Sequence, residues 1–285
     1  MPNDQLWRFH FVRSPVRGMW VRLNHVLRDA SHARSYDTPA KRVLGEMLAT
    51  VALIANNIKH EGGLTLHAVG DGPIKTAFAE CQGQHALRGI VRMNEDEPHS
   101  THTEMTFKDL MGSGRMAITM QFESGESYQG LVDMSYESLG ESMESYFESS
   151  EQLDTTFSFG TDDDAVTCCF LQRLPSAAQA SDLTLAYDEA EWWRLVNLFR
   201  TIRPAELRSK DIRSMLSDVF PNDTIQLNEP RHLRFECTCN RERCTNALQT
   251  FPPDELQEMV RENGGIQVTC EFCGCQYEFL ETEFL

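Results

Sequence analysis

The sequence predicts an α+β protein in three parts. An N-terminal mixed α/β domain with a mainly antiparallel sheet spans residues 1–180, a helical linker spans 181–232, and a small C-terminal zinc-binding domain spans 233–285. Apolar periods of two and of 3.6 residues alternate in the first part, and a charged stretch with helical periodicity follows it. Six of the nine cysteines then fall between Cys237 and Cys275, inclusive. A chain of 285 residues is long enough for two modules and a connector.

Six short segments in the first part are predicted strands, because apolar and polar residues alternate within them. Most are joined by short polar turns, such as the Gly-Asp-Gly-Pro sequence at residues 70–73, and this favours antiparallel pairing. The predicted strands cover residues 64–69, 74–79, 86–93, 115–122, 127–134 and 165–174.

Two helices are predicted among these strands. The stronger covers residues 39–59, with Thr38 as its N-cap and Pro39 at the first helical position. Its apolar residues form one stripe that should pack on a sheet face: Val43, Leu44, Met47, Leu48, Val51 and Ile54. The second covers residues 138–149.

The linker carries two apolar stripes at helical spacing. Such stripes are usually core-facing surfaces, and the alternative is an interaction surface that becomes available only under some conditions. The candidate residues for that surface are Trp192, Leu195, Val196, Phe199, Ile202, Met215, Leu216, Val219 and Phe220.

Charge and hydropathy indicate which partners to expect. The formal net charge of −17 disfavours nucleic acid and anionic lipid surfaces as partners. No run of 18 apolar residues occurs, and the N-terminal residues lack the features of a secretory signal. We therefore expect a cytoplasmic protein without membrane or nucleic-acid partners, whose paired cysteines bind metal rather than form structural disulfides.

The cysteine pairs Cys237-Thr238-Cys239 and Cys270-Glu271-Phe272-Cys273 predict a zinc site. Two predicted helices, at 241–250 and 253–262, and a strand at 266–269 would bring the second pair back to the first. Four thiolates could then converge on Zn²⁺ at about 2.3 Å, and sulfur ligands favour zinc over magnesium or calcium. The metal should supply much of the folding free energy of so small a module.

Four interpretations of this site remain open from spacing alone. The first is a purely structural site, and the second is a catalytic zinc in which Cys244 or Cys275 replaces a ligand. The third is a nucleic-acid-binding finger, and the fourth is an oxidant-sensitive thiolate cluster. Residues 233–285 contain four arginines against ten acidic side chains, which disfavours the finger. No P-loop, GxSxG or HExxH motif is present, and the histidines show no second ligand spacing, so no enzyme is expected.

The two cysteine segments, residues 235–248 (FECTCNRERCTNAL) and 268–279 (VTCEFCGCQYEF), resemble the redox-regulated 33 kDa chaperonins, also called heat shock protein 33. Further similar segments are VRG at 16–18, GDGP at 70–73, RGIVR at 88–92, YQGLV at 128–132 and YFESSEQL at 146–153. The resemblance thus covers essentially the whole chain.

The resemblance implies an ATP-independent holdase that is inactive while reduced and zinc-bound. Oxidation with mild unfolding would make it bind unfolded client proteins, and the oxidised form would dimerise. The resemblance also implies that Cys237, Cys239, Cys270 and Cys273 ligate one zinc ion. In the oxidised form, Cys237 would pair with Cys239 and Cys270 with Cys273.

The sequence departs from this pattern at Cys275, which leaves the choice of disulfide partner open. The remaining cysteines, Cys81, Cys168 and Cys169, are predicted to be small buried apolar residues in strands. The rival prediction is a zinc-dependent adaptor that binds one specific protein partner.

Overall fold

The computed structural model describes residues 4–58, 62–94, 105–175 and 182–280, in which nine α-helices and fourteen strands form. The helices are α1 (His25–Ser31), α2 (Thr38–Asn57), α3 (Phe107–Met111), α4 (Leu139–Tyr146), α5 (Asp182–Phe199), α6 (Pro204–Ser209), α7 (Ile212–Val219), α8 (Arg241–Leu248) and α9 (Pro253–Asn263).

Most of the strands belong to two large sheets. The strands are β1 (Gln5–Phe11), β2 (Val16–Leu23), β3 (Gly63–Gly70), β4 (Ile74–Gln82), β5 (Ala86–Met93), β6 (Gly114–Gln121), β7 (Ser127–Val132), β8 (Thr155–Thr161), β9 (Val166–Arg173), β10 (Ile225–Leu227), β11 (Arg231–His232), β12 (Arg234–Phe235), β13 (Ile266–Thr269) and β14 (Gln276–Phe279). The first sheet has the order β10-β1-β2-β9-β8, with β11 also on β1, and the second has the order β12-β5-β4-β3-β6-β7. Pairing is antiparallel throughout except between β12 and β5. The predicted α+β class with a mainly antiparallel sheet is confirmed.

Helix α2 lies between the two sheets and contacts strands of both. Fifteen of its 20 residues are buried, so it is covered on nearly all sides and not only along the predicted stripe. The predicted N-cap was wrong. Asp37 caps the helix, and its carboxylate accepts a hydrogen bond from the Ala40 N–H at 2.9 Å, because Thr38 is already inside the first turn.

All six predicted strands are present with small changes at their ends, but β1, β2, β8 and the short strands β10, β11, β12 and β14 were not predicted, and β10 and β11 lie in the predicted helical linker. The segment of β1, Gln5–Phe11, alternates aromatic with basic and polar residues, and the first sheet that contains it is buried on both faces. The predicted helix at 138–149 divides into α4 and one turn of π-helix at Phe147–Glu151. His60, His99 and His102 lie outside the described residues.

Linker helices α5 to α7 pack on the face of the first sheet that points away from α2. Their apolar residues form one cluster with Phe9, Trp20 and Leu171 of that sheet. Trp192 is 3% exposed, whereas the neighbouring Trp193 is 52% exposed. All nine candidate interaction residues of the linker are therefore buried or partly buried here. The chain then adds β10 and β11 to the first sheet and β12 to the second before it reaches Cys237.

Candidate metal centre

The sulfur atoms of Cys237, Cys239, Cys270 and Cys273 lie within 4.8 Å of one another. The Cys237 and Cys270 sulfurs are 3.6 Å apart, and those of Cys239 and Cys273 are 3.4 Å apart. Sulfurs at the corners of a tetrahedron around zinc would be about 3.8 Å apart, given Zn–S bonds of about 2.3 Å. No other comparably close group of three or more His, Cys, Asp or Glu ligands occurs in the described ranges. The cluster could therefore hold a metal ion, and its donor set is the one that zinc prefers.

Two turns deliver the sulfurs. The first pair, Cys237 and Cys239, lies between β12 and α8. Asn240 is the N-cap of α8, and its side chain accepts a hydrogen bond from the Arg243 N–H at 2.8 Å. The second pair lies in the turn between the antiparallel strands β13 and β14. There the Gly274 N–H donates to the Cys270 carbonyl at 2.8 Å, with Gly274 at φ 72°, a conformation that favours glycine. This turn holds Cys270 and Cys273 on the side that faces the first pair.

Hydrogen bonds within the cluster favour a thiolate at Cys239. Burial raises the pKa of this thiol, but hydrogen bonds from the Tyr277 hydroxyl and from the other three thiols outweigh it and bring the pKa to about 7. The Tyr277 hydroxyl donates to the Cys239 sulfur at 3.2 Å. Part of the cluster is thus stabilised in the deprotonated form that metals and oxidants require.

The other five cysteines lie outside the group of four. Cys81, Cys168 and Cys169 are fully buried in β4 and β9, as predicted, and burial raises the pKa of each. Cys244 is on α8 and belongs to the small core of the C-terminal module. Cys275 is exposed directly after the second turn.

The C-terminal module has a small apolar core. Only six buried apolar residues make up that cluster within the described part of the chain, and most of them retain some exposure: Cys244, Leu248, Leu256, Val260, Ile266 and Phe279. A core of this size provides little hydrophobic stabilisation, so cross-linking of the two turns by a metal would contribute strongly to folding.

The residues between the paired cysteines contact the second sheet. Arg88 on β5 donates to the Thr238 hydroxyl at 2.7 Å, and its guanidinium lies 4.7 Å from the centre of the Phe272 ring. Phe272 also meets Phe78 of β4 edge to face, with ring centres 5.7 Å apart. One arginine therefore contacts the residue inside the first pair and a residue inside the second.

Glu271 strengthens this contact, because it forms ion pairs with Arg34 at 3.2 Å and with Arg92. The sequence did not indicate these partners, because Arg34, Phe78, Arg88 and Arg92 lie about 150 to 240 positions before the residues that they contact. The segment RGIVR at 88–92 was singled out as a similarity, but nothing in it points to the cysteines.

Comparison with known proteins addresses the whole chain. The Hsp33 protein family model matches residues 4–280. The 33 kDa chaperonins of Aeromonas salmonicida and Enterobacter sp. are each 33% identical to this chain, and each match covers 97% of this chain and 92% of the relative. The chain belongs to the Hsp33 family. The resemblance stated from the cysteine segments is confirmed, and the family is one of chaperones rather than of enzymes.

A crystal structure of the Hsp33 homologue from Thermotoga maritima shares the fold. The two chains superimpose with a TM-score of 0.82 at 23% identity, over 99% of this chain and 97% of that one. Within the described residues, no helix is both long and apolar enough to cross a bilayer.

Proposed function

We propose that this Hsp33-family chain is a redox-switched, ATP-independent holdase. In the resting form, Cys237, Cys239, Cys270 and Cys273 bind one zinc ion and the linker stays packed. After oxidation the linker opens and the protein binds unfolded clients. The observation that carries the proposal is that four half-buried thiols meet in one cluster while the residues between them contact the second sheet.

The thiols provide the sensor. Zinc, when bound, keeps the four sulfurs deprotonated and ties the two turns together. A peroxide can then oxidise each cysteine pair. Two thiolates give up two electrons to form one S–S bond, and hydrogen peroxide takes up these electrons together with two protons from the solvent, so that its O–O bond breaks and two water molecules form.

We propose disulfides between Cys237 and Cys239 and between Cys270 and Cys273. The sulfur pairs reported above join Cys237 to Cys270 and Cys239 to Cys273, so these alternative partners are also within reach. Either choice removes the four-thiolate set, and the turns then lose the ion that holds them.

The chain offers a direct route from the cysteines to the linker. Cys237 follows β12 after one residue, and β12 is preceded by β11 and β10, which pair with β1 beside the linker helices. Loss of the first turn would remove the anchor at the end of these short strands. Short edge strands are weak units, so the adjacent helices would open before the rest of the fold.

Opening of the linker would expose the apolar surfaces that the linker helices and the first sheet now bury against each other. Trp192, Leu195, Val196, Phe199 and Ile202 come from α5 and the residues that follow it, and Met215, Leu216, Val219 and Phe220 come from α7 and its C-cap. The first sheet contributes Phe9, Trp20 and Leu171. Exposed apolar surface of this kind binds unfolded chains, and it would also support a homodimer of the oxidised form.

A thiolate switch needs a compartment that keeps thiols reduced at rest. We therefore propose a cytoplasmic location, with unfolded proteins as partners and neither nucleic acid nor membrane among them.

Client breadth tests the proposal. The oxidised protein should suppress light scattering by several unrelated denatured proteins at stoichiometric amounts, and the reduced zinc-bound protein should not. Binding of one protein only, in either redox state, would contradict the holdase and favour a zinc-dependent adaptor.

A further inference from the structure

The outer face of the second sheet holds one short segment of the chain itself. Glu271 and Phe272, between the second pair of cysteines, dock there side by side. The Phe272 ring meets Phe78 edge to face, and the guanidinium of Arg88 lies over the Phe272 ring. This arrangement is a pocket for one aromatic ring, with a cation on one side and an aromatic ring on another.

The carboxylate of Glu271 has its own partners at the same site. Arg34 and Arg92 both pair with it, and these three side chains line a cleft of about 560 Å³ together with Lys75. The cleft thus gathers three cations around one acid, on a chain whose net charge is −17. Arg88, in contrast, is already paired with the buried carboxylate of Glu80.

We propose that this face is a second client-binding site, specific for an acidic residue followed by an aromatic one, and that Glu271-Phe272 occupies it in the resting protein. That the ligand is a segment of an unfolded client rests on the proposed function. The preference of the site for an acidic and an aromatic side chain is inferred from Glu271 and Phe272, which occupy it in this structure. Oxidation of Cys270 and Cys273 reshapes the turn between them, withdraws the internal segment and frees the site.

The sheet continues beyond the occupied pocket, which suits an extended client segment. His67 of β3 also meets Phe78 edge to face, with ring centres 5.9 Å apart. Val69 on β3 and Leu131 on β7 are 45% and 73% exposed. A client could therefore place its acidic-aromatic pair in the pocket and further apolar side chains along the sheet.

The test uses a fluorescent peptide with the sequence of residues 268–277 in which serine replaces each cysteine. In the reduced, zinc-bound full-length protein, the double variant Glu271→Ala/Phe272→Ala empties the site without oxidation and without removing a metal ligand. Fluorescence anisotropy should show that the peptide binds this variant and not the wild type. Zinc content confirms that the module is intact in both.

Added substitutions define the site. Phe78→Ala should weaken peptide binding roughly tenfold, as expected for loss of an aromatic ring contact, and Arg92→Ala should also weaken it. Arg203→Ala is the matched control, since the Arg203 side chain is 79% exposed at the N-cap of α6, which packs on the first sheet, and it should leave binding unchanged. A peptide with the phenylalanine changed to alanine should not bind.

Several results would overturn the proposal. The first is that the zinc-loaded double variant does not bind the peptide. The second is that the alanine peptide binds as tightly as the original peptide. The third is that polyglutamate binds as tightly as the peptide, which would show only a general attraction for anions. Should the double variant lose its zinc, the oxidised wild type replaces it and must bind the peptide in an Arg92-dependent way.

The two proposals can fail separately. Oxidised protein that prevents client aggregation but ignores the peptide would remove this site and leave the holdase. A reduced double variant that binds the peptide, beside an oxidised protein without holdase activity, would leave the site and remove the holdase.

Discussion

At the residue scale, five cysteines lie within or beside the two turns, and four of them converge. Cys275 follows Cys273 after one residue. It is exposed, and its backbone carbonyl accepts a hydrogen bond from the Cys270 N–H at 2.8 Å. The sequence left open whether Cys275 replaces a ligand. The geometry favours the four sulfurs that already lie within 4.8 Å of one another.

Removing one sulfur from the group should abolish tight metal binding. We expect Cys270→Ser to lose nearly all zinc from the purified protein, because a hydroxyl is a poor substitute for a thiolate and the module has little core to compensate. Cys275→Ser is the matched control and should retain one zinc per chain. Elemental analysis of both variants measures this, and a zinc-free Cys275→Ser would show that the ligand set is wrong.

At the element scale, the strands and helices with simple periodicity could be predicted from the sequence. The strands β3 to β7 and β9, the helix α2 and the two helices of the C-terminal module followed from alternation, caps and glycines. The strands β1 and β2 could not, because their outward side chains are covered by helices that come about 170 residues later. The grouping of the four cysteines could be predicted because the spacing within each pair is local, whereas the contacts of the two turns with Phe78 and Arg88 depend on tertiary packing.

The linker helices should respond to loss of a single buried ring. Trp192 is 3% exposed in the cluster with the first sheet, so Trp192→Ala should destabilise the packed linker by about 3 to 5 kcal/mol. In the reduced protein, trypsin should then cleave after the exposed Arg200 at lower temperature than in the wild type.

The adjacent Trp193 provides the control for this prediction. It is 52% exposed, and Trp193→Ala should change stability by less than about 0.5 kcal/mol. Equal trypsin sensitivity of the two variants would contradict the assignment of Trp192 to a linker contact.

At the scale of the whole molecule, stability is distributed unevenly. The two sheets and α2 share one large core, the linker helices share a second with the first sheet, and the C-terminal module has a small third one. A metal contribution on the order of 10 kcal/mol would make the module depend on zinc while the sheets do not.

Zinc removal should therefore unfold the module alone. After treatment of the reduced protein with a strong chelator, hydrogen exchange should become fast in α8, α9, β13 and β14 and stay slow in α2 and the strands around it. Uniform loss of protection across the chain, or none at all, would contradict this separation.

Assembly should change with redox state. We expect sedimentation velocity at several concentrations to show a reversible dimer for the oxidised protein and none for the reduced protein, because opening of the linker exposes its apolar cluster. A strictly monomeric active form would refute the dimer and leave the client site intact.

The central claim is that oxidation of the zinc cluster turns on client binding. It is tested most directly by one paired time course at mildly elevated temperature after addition of peroxide. A chromogenic chelator follows zinc release, and light scattering follows aggregation of a denatured client in the same sample. We predict that protection of the client rises together with zinc release and is absent without peroxide. Zinc that stays bound while protection appears, or zinc that is released without protection, would contradict the account.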